Sequence, residues 1–217
     1  MSTGRMQRAK PVERAWARVF REAGATTHEQ HLLRNTTLPV DPSDNRRIDV
    51  SVTASFLSRP LFCDATLRSP RKGNGEAHPR AAKDDGAVLE RAQRDKLDKY
   101  WDVEESSLGE LVCLGCEVGG RWNEEAHAWV RVLAKEKAKN QHPLLRRSVE
   151  LAWLDRWWAL LGAATQDALA ASLLVESGQN LVLDDNTALE PSVDLLLDGQ
   201  RWAAETEAAE SNTHGMV

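Results

Sequence analysis

The chain has 217 residues, 41% of them hydrophobic and 28% charged, enough for one domain with a real core plus peripheral sequence. Its net charge of −5 is unevenly laid out: residues 176–217 hold nine acidic residues and one Arg, a balance of −8, leaving +3 for residues 1–175. That weakly basic body permits phosphate contacts without requiring them. Three cysteines in apolar runs (Cys63, Cys113, Cys116) suit buried thiols better than a disulfide framework, no apolar run is long enough to span a bilayer, and the opening residues hold no signal-like stretch.

Residues 1–11 are expected as a flexible N-terminus. Val12, Trp16, Val19, Phe20 and Ala23 then recur at helical spacing, and Gly24 follows as a stop. Residues 25–33 alternate poorly but are compatible with a strand. Arg46 to Ala54 alternates cleanly, predicting Ile48, Val50 and Val52 on one face and Arg47, Asp49, Ser51 and Thr53 on the other. The next strand is expected over Pro60–Leu67, followed by a polar Gly/Pro/Arg/Lys-rich loop over 68–86 and a helix over about 87–101. An apolar strand over Glu110–Val118 ends at Gly119-Gly120, and Asn123 with Glu124 and Glu125 marks the capped start of another helix.

Pro143 opens a final helix reaching about Val175. In it Leu151, Leu154, Trp158 and Leu161 form a stripe flanked by Trp153, Trp157 and Leu160. This face over 151–161 must pack within the domain, on a protein partner or on a second copy of the chain. Residues 12–175 are thus expected as the folded domain, and 176–217 as an acidic, mostly disordered tail in which Leu181–Leu183 and Leu195–Leu197 could dock locally.

Two acids carry the chemical interest. Asp49 lies on a strand with an apolar opposite face, and Asp64 sits inside Leu-Phe-Cys-Asp-Ala-Thr-Leu, where an unpaired carboxylate is costly to bury. Carboxylates on neighbouring strands can converge on a hard divalent cation. On the following helix, at roughly 100° per residue with Leu89 at zero, Tyr100 falls near +20°, Lys96 near −20° and Ala92 near −60°. A lysine in the middle of an apolar stripe breaks a local rule, as functional sites do. Lys99, on the flank, is the better phosphate contact.

Arg47-Ile48-Asp49, fourteen intervening residues, Asp64 in an apolar strand, then Lys96-Leu97-Asp98-Lys99-Tyr100 resembles the restriction-like endonuclease domain of site-specific LINE-type retrotransposons, within the PD-(D/E)XK nuclease superfamily. The resemblance spans about residues 12–135. It implies an α/β fold with a restriction-endonuclease-like core, a mixed four-stranded sheet flanked by helices, to which C-terminal helices are added. It further implies DNA phosphodiester hydrolysis by Mg²⁺ or Mn²⁺ held on Asp49 and Asp64, with Lys96 orienting the attacking water, and hence a DNA-acting protein inside the cell, in the nucleus if the host is a eukaryote. Ile48 replaces the proline of the family pattern, and Thr66 stands where the wider superfamily has its lysine, so that role passes to Lys96. Lys99, Arg121, Arg71 and Lys72, with Arg68 and Arg80, are candidate contacts to the DNA backbone, and Glu117 is a candidate additional acid. A nuclease fold that has lost activity but still binds nucleic acid or a protein is the alternative. The Cys113/Cys116 and His28/His31 spacings lack the further ligands that zinc would need.

Overall fold

The computed structural model describes residues 3–72 and 74–176; the acidic tail, with Leu181–Leu183 and Leu195–Leu197, lies outside the described residues. The chain folds as α1 (Thr3–Ala23), β1 (Thr26–Leu32), β2 (Arg47–Thr53), β3 (Leu61–Arg68), α2 (Ala87–Lys99), α3 (Trp101–Glu104), β4 (Glu110–Glu117), α4 (Glu124–Lys139) and α5 (Arg146–Glu176). The strands form one mixed sheet in the order β1-β2-β3-β4, antiparallel except for the parallel β3–β4 pair. It is an α/β fold with helices on both faces of a four-stranded sheet.

Two clusters of buried side chains fill those faces. On one, Val12, Trp16, Val19 and Phe20 of α1, Leu133 of α4 and Trp157, Leu160 and Leu161 of α5 pack on Val50, Val52, Cys63 and Leu114. On the other, Tyr100 and Val103 pack on Ile48, Phe62, Leu111 and Cys113. Cys113 and Cys116 thus belong to opposite faces of the sheet, as the period of two in a strand demands.

Ile48 corrects the expected alternation of β2. It packs in the second cluster while Val50 and Val52 pack in the first. The β1–β2 register pairs Glu29 with Val50 and His31 with Ile48 but leaves the Gln30–Asp49 step unpaired, and Gln30 has φ 50°. The alternation is interrupted at this unpaired step, with the register unchanged on either side of it, which no alternation rule anticipates.

The helices also depart from expectation at their ends. α1 starts at Thr3, so residues 3–11, expected within a flexible arm, form its first turns. It stops where Gly24 takes φ 101°, the left-handed conformation that costs a glycine little. The expected helix over 87–101 breaks into α2 and α3 at Tyr100. α5 begins at Arg146, after a turn through Pro143.

Both β4 and α4 are anchored by one loop. Asn123 caps α4 by accepting from Ala126 N (3.1 Å), donates to Cys113 O (2.6 Å) and accepts from Gly115 N (3.2 Å), while Glu125 accepts from Cys113 N (3.0 Å). Side chains thereby satisfy the edge of β4 that faces away from β3.

The Trp-rich stretch of α5 is largely covered by α1 and α4. Trp157, Leu160 and Leu161 are buried, and Leu151 remains 41% exposed. At the α1–α5 seam, Glu22 accepts hydrogen bonds from Arg156, from Trp157 Nε1 (2.8 Å) and from Arg18. Burial alone would raise its pKa, but these donors outweigh it and hold Glu22 at about 2, against an ordinary 4.5. A carboxylate with a depressed native pKa stabilises fully above 4.5 and loses that contribution as pH falls toward 2. Urea titrations of wild type and Glu22→Gln should therefore differ by about 2–3 kcal/mol at pH 6, with the gap closing between pH 4.5 and 2.

Candidate active site

β3 continues past the point where β2 leaves it. The β2–β3 ladder pairs Val52 with Leu61, Ser51 with Phe62 and Val50 with Cys63, whereas β3 stays paired to β4 from Leu61 to Arg68. Beyond Cys63 the Ala65 N–H donates to the Asp49 carboxylate, Oδ2, at 2.9 Å. Asp49 therefore stands in for a main-chain acceptor where the strands part, one peptide away from Asp64. Its other oxygen, Oδ1, accepts from Gln30 Nε2 at 3.2 Å.

Asp64 is 2% exposed in the middle of β3. Lys96, from α2, brings its Nζ to 2.6 Å from Asp64 Oδ1. That oxygen accepts no well-directed hydrogen bond, so the contact is an ion pair by proximity. Burying an ionised carboxylate without such compensation would cost several kcal/mol. The sequence places the lysine there because Leu89, Ala92 and Tyr100 are buried on the same face of the helix, and its stem crosses apolar surface to reach the acid.

The end of α2 is held firmly. Tyr100 OH donates to Arg47 O (2.7 Å) and accepts from Lys99 Nζ, which also lies 4.3 Å from the ring centroid. Arg46 forks between Asp44 and Asp102 and donates to Lys99 O (2.8 Å). These bonds tie the start of β2 to the α2–α3 junction and so fix Lys96 relative to the strand acids.

A third carboxylate belongs to this neighbourhood. Glu13 of α1 is 7% exposed and accepts from the same Gln30 Nε2, at 2.8 Å. Burial raises its pKa above the usual carboxylate range against the opposing Gln30 hydrogen bond, and the Asp64 charge adds to the rise. Asp49 is raised by burial first, then by Asp64 and Glu13, with Lys96 and the Ala65 N–H opposing. Lys99 is lowered, by burial and then by the Lys96 charge. Glu13, Asp49 and Asp64 are thus close enough for each charge to act on another, with Lys96 opposing the rise at Asp49.

Glu13 escaped the sequence reading although a signal existed. At roughly 100° per residue with Val12 at zero, Glu13 falls near 100°, between Phe20 near 80° and Ala17 near 140°. Both neighbours are fully buried. It is the same charge-within-an-apolar-arc that singled out Lys96. Gln30 carried no such signal, because its role depends on a backbone conformation that composition does not reveal.

The other candidates are engaged locally. Arg71 donates to Gly75 O, Lys72 pairs with Glu76, and Arg121 pairs with Asp85 and Glu117. Arg68 pairs with Asp95, and Arg80 with Asp84 and Glu90. Of the phosphate candidates, only Lys99 is joined to the Asp64–Lys96 neighbourhood, through Tyr100. Glu117 is tied to Arg121 at the end of β4.

Among the described residues, no group of three or more His, Cys, Asp or Glu is arranged as a ready metal cage. The donors at the site are nonetheless hard carboxylate oxygens, and Mg²⁺ commonly takes only one or two carboxylates together with waters and substrate phosphate. Asp64 Oδ1 is deeply buried with Lys96 Nζ at 2.6 Å, so a cation there would share that oxygen with the ammonium. Asp49→Asn should raise the melting temperature of the cation-free protein at pH 8, by the equivalent of about 0.5–2 kcal/mol. It relieves the crowding of Asp49 against Asp64 and Glu13 and keeps one oxygen for the Ala65 N–H, at the loss of the Gln30 bond to the other oxygen; a fall in stability would show that the two hydrogen bonds outweigh the charge relief.

Compared with known proteins, the chain matches no family model and no curated protein.

Proposed function

We propose that the chain is a metal-dependent DNA endonuclease with a restriction-endonuclease-like core, derived from a retrotransposon of the LINE type. The observation that carries this reading is the meeting of Lys96 with Asp64, 32 residues apart in sequence, beside an Asp49 bonded to the very next amide. A mixed sheet with the first acid on β2, the second on β3 and the lysine on the following helix is the order that the resemblance implies.

Asp49 and Asp64 would hold Mg²⁺ or Mn²⁺. Such an ion supplies a coordinated water of lowered pKa and positive charge against the phosphate. Lys96, at the edge of the buried acid, places an ammonium where it can donate to the attacking water and to a phosphate oxygen once a cation shares Asp64. Lys99, perched on Tyr100, adds a second positive charge for the backbone on the flank of α2. No helix among the described residues is long and apolar enough to cross a membrane.

The closed ion pair also favours a second reading, a nuclease fold that has lost activity but still binds nucleic acid, because Lys96 already neutralises Asp64 without a cation. Supercoiled plasmid incubated with the full chain separates the two. Nicking that requires Mg²⁺ or Mn²⁺ and stops with a chelator is the expected result. Retention of DNA on a gel without any nicking would select the inactive fold.

A further inference from the structure

We infer that Gln30 is a positioning residue of this site: its side-chain amide joins Glu13 to Asp49 and holds Asp49 in the orientation that offers it to a divalent cation beside Asp64. This rests on reading Asp49 and Asp64 as cation ligands, not on what the chain cuts.

One nitrogen makes the link. Gln30 Nε2 donates to Glu13 Oε2 at 2.8 Å and to Asp49 Oδ1 at 3.2 Å, using both of its hydrogens on two carboxylates from different elements. Those acids would otherwise repel and turn apart. With Ala65 N–H on Oδ2 and Gln30 on Oδ1, the Asp49 carboxylate is held at both oxygens, yet each keeps a lone pair for a cation. Hydrogen-bonded partners of this kind orient metal-binding carboxylates and set their affinity.

The backbone indicates that the placement is specific. Gln30 has φ 50°, in the left-handed region that a long side chain seldom adopts, at the step where the β1–β2 register lacks its pair. A regular strand would leave Glu29 and His31 as it finds them and turn this side chain elsewhere. Such strain persists where the surroundings fix it, and it clusters at working sites. Here the surroundings are Glu13, from a helix, and Asp49, from the neighbouring strand.

The test uses the full chain and Mn²⁺ alone, titrated by calorimetry and by thermal shift. Gln30→Met keeps length without donors and should weaken Mn²⁺ binding at least tenfold, in the range seen when a supporting hydrogen bond to a metal ligand is removed. Gln30→Asn, which keeps an amide and accepts positive φ more readily, should recover part of that loss. Wild-type Mn²⁺ affinity in Gln30→Met overturns the inference whatever happens to its melting temperature. If Gln30→Met does not fold, Glu13→Met opens the same bridge from the helix side, and unchanged affinity there overturns it equally. A wild type that binds no Mn²⁺ overturns both this inference and the nuclease reading. A wild type that binds Mn²⁺ through Gln30 but cuts no DNA removes only the latter.

Discussion

Lys96→Met should lower the rate of plasmid nicking by a factor on the order of 10²–10³, the usual consequence of removing one charge that acts on the transition state. It should also destabilise the protein, because it strands Asp64 as an ionised carboxylate that is only 2% exposed. Breaking a buried pair from one side typically costs about 3–5 kcal/mol. Asp64→Asn is expected to cut as poorly but to unfold less readily than Lys96→Met, since the Lys96 side chain is already 20% exposed and its ammonium can move outward into water. The double variant is the discriminating protein. With both charges gone it should regain most of the stability lost in Lys96→Met, yet nick DNA no faster than either single variant, because groups that act on one reacting centre fail together. Urea titration at pH 8 and nicking with Mn²⁺ read the two quantities on the same preparations. A double variant that recovers cutting along with stability would mean that Asp64 and Lys96 are a structural pair and that any chemistry lies elsewhere.

How much of this was legible beforehand depended on whether a residue's role was set locally. The α1 stripe and β2, β3 and β4 followed from spacing, whereas β1 alternates poorly. The buried face of α5 runs through Trp157, Leu160 and Leu161 rather than along the expected stripe, with Leu151 exposed and Leu154 and Trp158 half-buried. The mixed sheet flanked by helices agrees at a coarse level. Lys96 stood out because a charge inside an apolar arc is visible in a helical projection. Glu13 was equally visible by that geometry, lying between Phe20 and Ala17 on the buried arc of α1. The break at Tyr100 was not visible, since Trp101 and Val103 prolong the apolar pattern. It arises because Arg46, from the start of β2, takes the Lys99 carbonyl and the Asp102 carboxylate. The face of Ile48 was hidden for a similar reason: β1 and β2 are unpaired at Gln30 and Asp49, where Gln30 takes φ 50°, and the Gln30 side chain is held there by Glu13 of α1 and Asp49 of β2. Tertiary hydrogen bonds placed these features, and no window of sequence contains both partners.

Trp157→Ala should be the most damaging single change outside the site, costing about 3–5 kcal/mol, a large share of the roughly 5–15 kcal/mol that holds a domain together. Trp157 is fully buried between α1 and α5, and its indole packs on Trp153 at 5.1 Å between centroids. Its Nε1 donates to Glu22 at 2.8 Å, so truncation opens a cavity and withdraws one donor from a carboxylate that its partners keep ionised. Trp157→Phe separates the two losses: it fills much of the cavity while removing only the N–H, and should cost about 1–2 kcal/mol. Urea unfolding with an unchanged slope measures both, and sedimentation of the same proteins tests the partner role considered for the 151–161 face. If that face served to join two copies, Trp157→Ala would lower the mass in solution at protein concentrations where it remains folded. A monomeric wild type, with Trp157→Ala differing only in stability, assigns the tryptophans of α5 to the core, where Trp153 and Trp158 pack beside the buried Trp157.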